Sequence, residues 1–262
     1  MLKKRIIPKF LFKFQNIGGK LLPTFVISNK FSQLKTIGSI IPQAKIYEAQ
    51  LADELMILSI ADKKCSKDIE FLSFLKKFSE QIFMPLTVGG GVKTLECFEI
   101  LLNNGADKIF INSEAIKNPE LIKLAAKKFG SQCIVVGIDF MEAENNNFLV
   151  FSKAGKINTN LDLFEWVKRC EELGAGEIVV TDIDRDGTNK GLNIEVAKKI
   201  SEFTNIPITF AGGCGLASHF VDGFKNTNIS AISAATFFAN RDQNIFQLRS
   251  QLLNSGINLN LI

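Results

Sequence analysis

The sequence repeats itself at about half its own length, and that repeat constrains the fold more than any other feature. Pro85-Leu86-Thr87-Val88-Gly89-Gly90-Gly91 returns as Pro207-Ile208-Thr209-Phe210-Ala211-Gly212-Gly213, 122 positions on. Glu54, in Ala52-Asp53-Glu54-Leu55, returns as Glu177 in Ala175-Gly176-Glu177-Ile178, 123 positions on. Ile6–Phe12 likewise matches Ile134–Phe140. Three matches in order along the chain describe two similar halves.

Each half carries short β-branched runs separated by segments whose apolar residues recur at three and four, the pattern of a parallel sheet covered by helices. The runs are Arg5–Lys9, Glu54–Ser59, Leu86–Val88, Lys108–Ile111, Cys133–Ile138, Glu177–Thr181, Ile208–Ala211 and Ala231–Ser233. Eight such units in 262 residues, with no Pro/Ser-rich linker, predict a closed (β/α)8 TIM barrel, residues 1–262 forming one domain. A 46% hydrophobic content is enough to fill its core.

Composition excludes several classes of function. No run of about 18 uncharged apolar residues is present, so no membrane span is expected, and no signal-peptide pattern follows Met1–Pro8. The net charge of +4 is scattered, which argues against nucleic acid as a partner. Five cysteines (Cys65, Cys97, Cys133, Cys170, Cys214) with no C-x-x-C spacing argue against disulfides and zinc, and for a reducing cytoplasm. His219 is the only histidine, read as a surface or helix-cap residue, so a histidine-rich metal site is excluded. No metal or cofactor is expected. Trp166 and Cys214 are expected to be buried packing residues, and Asn145-Asn146-Asn147 a hairpin turn.

Both copies of the repeat place paired glycines where a strand ends and a helix begins: Gly90-Gly91 and Gly212-Gly213. Such turns let backbone N–H groups approach a phosphate at a helix N-terminus. Barrels of this kind carry their site on the C-terminal face, often with phosphate near strands seven and eight. Two turns on opposite sides suggest a long substrate with a phosphate at each end.

Several motifs then converge on one family. Lys4-Arg5-Ile6-Ile7-Pro8, Pro85–Gly91, Gly105-Ala106-Asp107-Lys108, Ile111-Asn112-Ser113 and Asp184-Arg185-Asp186-Gly187-Thr188 resemble the cyclase subunit of imidazole glycerol phosphate synthase (HisF). The resemblance runs from the first residues to about Phe238. It implies a HisH-like glutaminase partner, ammonia passing through the barrel, and ring closure on a bis-phosphorylated substrate between aspartates on strands one and five. The strand-five aspartate is Asp139, and the resemblance gives Asn112, Ser113, Asp186 and Gly187 a role beside the substrate. Paired carboxylates can divide acid and base work between them.

The strand-one aspartate is replaced by Leu11, which cannot exchange a proton and disfavours charge beside it. Other departures from the family pattern are Ser59 for an aspartate, Phe110 for a serine, and Ala211 for a serine, with Thr236 keeping a hydroxyl near strand eight. The loop after strand one, flexible and substrate-closing in the family, reads Phe14-Gln15-Asn16-Ile17-Gly18-Gly19-Lys20.

The other end of the barrel keeps the pattern. Arg5, Glu54, Lys108 and Glu177 open four strands with inward phase, and they match a salt-bridged ring that gates ammonia in the family. A balanced ring is expected, since an unpaired buried charge is costly. Asp107 matches a residue facing the glutaminase. The preferred reading is therefore a HisF-like subunit that delivers ammonia to another acceptor, such as that of a downstream sugar amidotransferase. The alternatives are a genuine histidine-biosynthesis cyclase and a non-catalytic scaffold that activates the glutaminase; an isomerase sibling ranks last.

Overall fold

The computed structural model describes residues 3–60, 68–144, 147–239 and 244–260. Cys65, Asn145 and Asn146 lie outside them. The strands are β1 (Arg5–Ile17), β2 (Lys20–Ile27), β3 (Lys35–Ser39), β4 (Leu55–Ser59), β5 (Leu86–Gly89), β6 (Lys108–Ile111), β7 (Ile134–Glu142), β8 (Phe148–Ser152), β9 (Ile157–Asp162), β10 (Glu177–Asp182), β11 (Ile208–Ala211) and β12 (Ala231–Ala234). Eight of them pair in parallel in the order β10-β11-β12-β1-β4-β5-β6-β7, and β7 pairs with β10 to close the ring. This is the (β/α)8 barrel that the repeat predicts, with every barrel strand at its expected place.

Ten α-helices are described: α1 (Ile40–Ala49), α2 (Ile69–Ser79), α3 (Leu95–Asn103), α4 (Ser113–Lys117), α5 (Glu120–Phe129), α6 (Leu163–Glu172), α7 (Ile194–Phe203), α8 (Ala217–Asn226), α9 (Thr236–Ala239) and α10 (Ile245–Asn254). Their starts are chemical. Asp68, Thr94, Asp162, Asn193 and Asn244 each accept a first-turn backbone N–H of the helix that follows. Helix α2 then turns Phe71, Phe74, Leu75 and Phe78 onto the sheet, where Phe12 meets Phe71 and Phe74 at 5.6 and 5.4 Å between ring centres. None of the described helices is long and apolar enough to cross a membrane.

Strand phase divides the interior in two. Outward-pointing barrel residues join the helices in the main core, while Ile7, Met56, Val135, Val179 and Ala231 form a separate apolar cluster inside the barrel, with Leu58 and Phe110 against it.

The segment after strand one is not a loop, as expected, but a hairpin. β1 continues past the barrel and pairs antiparallel with β2, and β2 pairs with β3. Gly18 and Gly19, at φ of 59° and 79°, make the two-residue turn that such a hairpin requires. β7 does the same with β8 and β9, with Glu142 opposite Phe148. That hairpin was expected around Asn147. The half-barrel repeat thus extends to a three-stranded projection on each half.

Candidate active site and charged ring

At the N-terminal ends of the strands, the four predicted charges meet. Arg5 binds Glu54 through Nη1 at 2.7 Å and Glu177 through Nη2 at 2.7 Å. Lys108 binds the same carboxylates at 2.7 and 2.9 Å. Each cation thus bridges both anions, and the charges alternate around the ring. Thr87 and Thr209, partners in the half-barrel repeat, donate to Glu54 and Glu177 at 2.6 Å each. Burial pushes the Glu177 carboxyl up, but Arg5 and Lys108, with hydrogen bonds from Arg5 and Thr209, outweigh it and hold the carboxyl below its ordinary range. Asp107 is exposed beside the ring, where its carboxylate accepts from Leu86 N at 2.8 Å.

At the opposite end stands Asp139, near the top of the barrel portion of β7. It is buried, and its carboxylate accepts from Asn112 Nδ2 at 2.7 Å. Burial is the main cause that lifts its pKa to about 6, with Asp186 adding to the rise. The Lys9 charge and hydrogen bonds from Asn112 and Thr181 pull the other way. A carboxyl that titrates near neutrality can take or give a proton in a reaction. Leu11 is half-buried on β1, so the mouth has one such group there and not two.

The glycine turns sit on the same rim. Gly90 and Gly91 have φ of 110° and 68°, and Gly212 and Gly213 have 98° and 105°. A Cβ on Gly90 would collide with Ser59, and one on Gly212 with Asp182. Ser59 and Asp182 are themselves related by the 123-residue repeat. Gly212 and Gly213 share a recess with Lys9, Asp186, Gly187, Cys214, Ser233 and Thr236. Ala211 pairs in register with Ser233, which places a hydroxyl on the neighbouring strand.

Of the remaining predicted residues, Asn112 joins Asp139, whereas Ser113 Oγ accepts from Lys153 N at 2.9 Å and so ties the rim to the turn after β8. Asp186 receives a 2.8 Å hydrogen bond from Ser28 Oγ at the end of β2. His219 caps α8, its Nδ1 accepting from Gly215 N and Leu216 N. Cys214 and Trp166 are buried, as expected. Sequence reading passed over Lys9, Thr181 and Ser233 in the mouth and both threonines of the ring. The signal for Lys9 was available: it lies two residues from Ile7 and four from Arg5, on the inward face of β1.

Comparisons with known proteins identify the family. Residues 24–243 match the model of a family described as histidine biosynthesis protein. More narrowly, the chain belongs to the family of HisF subunits of imidazole glycerol phosphate synthase. It is 41% identical to the Hydrogenobaculum sp. (strain Y04AAS1) HisF subunit, over 100% of both chains. It is 38% identical to that of Lactococcus lactis subsp. lactis (strain IL1403), over 100% of this chain and 98% of the relative. A Prochlorococcus marinus (strain MIT 9313) protein, provisionally named as subunit hisF2, is 42% identical over 100% of this chain and 99% of its own.

Proposed function

We propose that this chain is the ammonia-receiving synthase subunit of a cytoplasmic glutamine amidotransferase complex. A HisH-like glutaminase docks on the face bearing the ring, with Asp107 at its edge, and ammonia enters through Arg5, Glu54, Lys108 and Glu177. It leaves at the mouth, beside Asp139, for an acceptor other than the ring-closure substrate, such as that of a sugar amidotransferase. The observation that carries this reading is the contrast between the two ends. The ring is complete and charge-balanced, while Asp139 faces the mouth without a carboxylate at Leu11.

A second reading, the histidine-pathway cyclase itself, is favoured by the names of the relatives. One assay separates the two. The purified chain is given ammonium salt and the ring-closure substrate, and Leu11→Asp is run beside it. No ring closure by the unmodified chain, together with tight glutaminase binding, supports delivery elsewhere. Ring closure at ordinary rates by the unmodified chain overturns it. Stimulated glutamine hydrolysis without any ammonia transfer identifies a scaffold. Replacing Lys108 is expected to impair glutamine-dependent transfer and to spare transfer from free ammonia.

A further inference from the structure

The inward face of β1 carries Arg5, Ile7, Lys9 and Leu11 in turn, from the floor of the barrel to its mouth. Arg5 belongs to the charged ring and Ile7 to the apolar cluster, so Lys9 stands where the apolar layer ends. It is 6% exposed, and it is the one cation among the described residues that line its recess. Two buried carboxylates stand near it: Asp186 lines the same recess, and Asp139 feels the Lys9 charge. Neutral donors reach both, Ser28 on Asp186 and Asn112 with Thr181 on Asp139. Without Lys9, two carboxylates shielded from water would form a site for a small monovalent cation.

Free ammonia is at risk in such a place. It is a nucleophile only as the free base, and a carboxyl that titrates at about 6 can hand it a proton. The proton then passes from the Asp139 oxygen to the nitrogen, and the carboxylate keeps the ammonium ion beside it. We propose that Lys9 is the specificity-determining residue of the exit: its tethered ammonium takes the place beside Asp139 and Asp186 that a free ammonium ion would occupy, and ammonia passes unprotonated. A tethered group competes at a high effective concentration. A fixed positive charge in a narrow passage also repels cations while a neutral molecule goes by. Leu11 acts in the same direction, because an aspartate there would add a third carboxylate. The inference rests on the reading of the barrel as an ammonia conduit, and it adds how the mouth tells ammonia from ammonium.

The test uses the full chain alone, with ammonium chloride as the probe and sodium chloride at the same ionic strength as the blank. The carboxylate NMR signal of Asp139 is followed in the parent, Lys9→Met, Lys9→Arg and Leu11→Asp. Lys9→Met is expected to gain about tenfold or more in affinity for ammonium, seen as a saturable fall in the Asp139 pKa. Lys9→Arg keeps the charge and should stay within about threefold of the parent. Leu11→Asp leaves Lys9 in place and adds a carboxylate, so it too should gain ammonium affinity. It carries the test if Lys9→Met does not fold. Equal ammonium affinity in the parent and Lys9→Met overturns the proposal, and so does an unchanged affinity in Leu11→Asp. Ammonium binding by Lys9→Arg as tight as by Lys9→Met also overturns it, because the charge would then not be what excludes the ion. None of these measurements involves the glutaminase, so glutaminase binding and glutamine-dependent transfer judge the proposed function separately.

Discussion

The ring of Phe110, on β6, fills the space that a side chain at Gly137, on β7, would occupy. A Cβ at Gly137 would overlap Phe110 Cζ and come within 2.8 Å of Cε1. Gly89, on the other side of β6, is crowded too: its Cβ would lie 2.8 Å from Phe110 Cβ. The aromatic ring thus projects into the barrel above the apolar cluster because both neighbouring strands carry glycine there.

Gly137→Ala is expected to destabilise the barrel by about 2 kcal/mol through overpacking. Phe110→Ala in the same chain should recover part of that loss, with a coupling of about 1 kcal/mol or more between the two sites. Urea unfolding of the two single variants and the double variant measures both. Additive losses would show that the two positions do not share one space.

That pair was invisible in the sequence, whereas the frame around it was not. The eight barrel strands were legible because β-branched runs, glycine turns and the half-length repeat are local signals. The charged ring was legible because four strand-opening charges had balanced signs and inward phase. Phe110 against Gly137 depends on cross-strand register, which no local pattern records. Lys9 was missed for another reason: a strand lysine ordinarily reads as a solvated surface residue, and only its phase relative to Arg5 and Ile7 argues otherwise. The hairpin after β1 was hidden because Gly18-Gly19 and exposed Leu21 and Leu22 resemble a loop until β2 is seen to pair with β3.

Asp139 gives a pH signature. Its folded pKa, about 6, lies above the ordinary aspartate value of 3.8. Between those values the folded state binds the extra proton, so stability falls as pH rises through the window. Asp139→Asn is therefore expected to stabilise the chain above pH 7 by about 3 kcal/mol, with the gain fading toward pH 4. Thermal unfolding across that range checks it; a gain that is constant with pH would contradict the assignment.

The ring gives the opposite sign. Glu177 is held below its ordinary range, so its contribution is present above the unfolded carboxylate pKa and lost as pH falls through the folded one. Glu177→Gln should remove acid sensitivity below about pH 4. At pH 7, Lys108→Met is expected to cost about 1–3 kcal/mol, less than for a fully buried pair because the lysine side chain is 21% exposed. Denaturant midpoints at the two pH values decide both.

The mouth can be loosened from its rim. Gly187 has φ of 71°, and a Cβ there would come within 2.9 Å of Asn29 Cα and collide with the Ser28 carbonyl. Gly187→Ala should push the end of β2 away from Asp186. Faster amide exchange is expected in β2 and β3, with the ring-side strand ends unchanged. Uniform protection across both regions would argue against this contact as the anchor of the hairpin.

The charged ring is also unevenly inherited from the two halves. Arg5, Glu54 and Lys108 all precede β7, whereas Glu177 alone follows it. The first half therefore brings an excess positive charge to the shared floor of the barrel, and the second half brings its counterion. Two copies of the first half would stack four cations on two carboxylates, and two copies of the second would bring two carboxylates and no cation. The ring is thus an identity check between unlike half-barrels: a chain severed ahead of β7 can neutralise its floor only by pairing one half with the other.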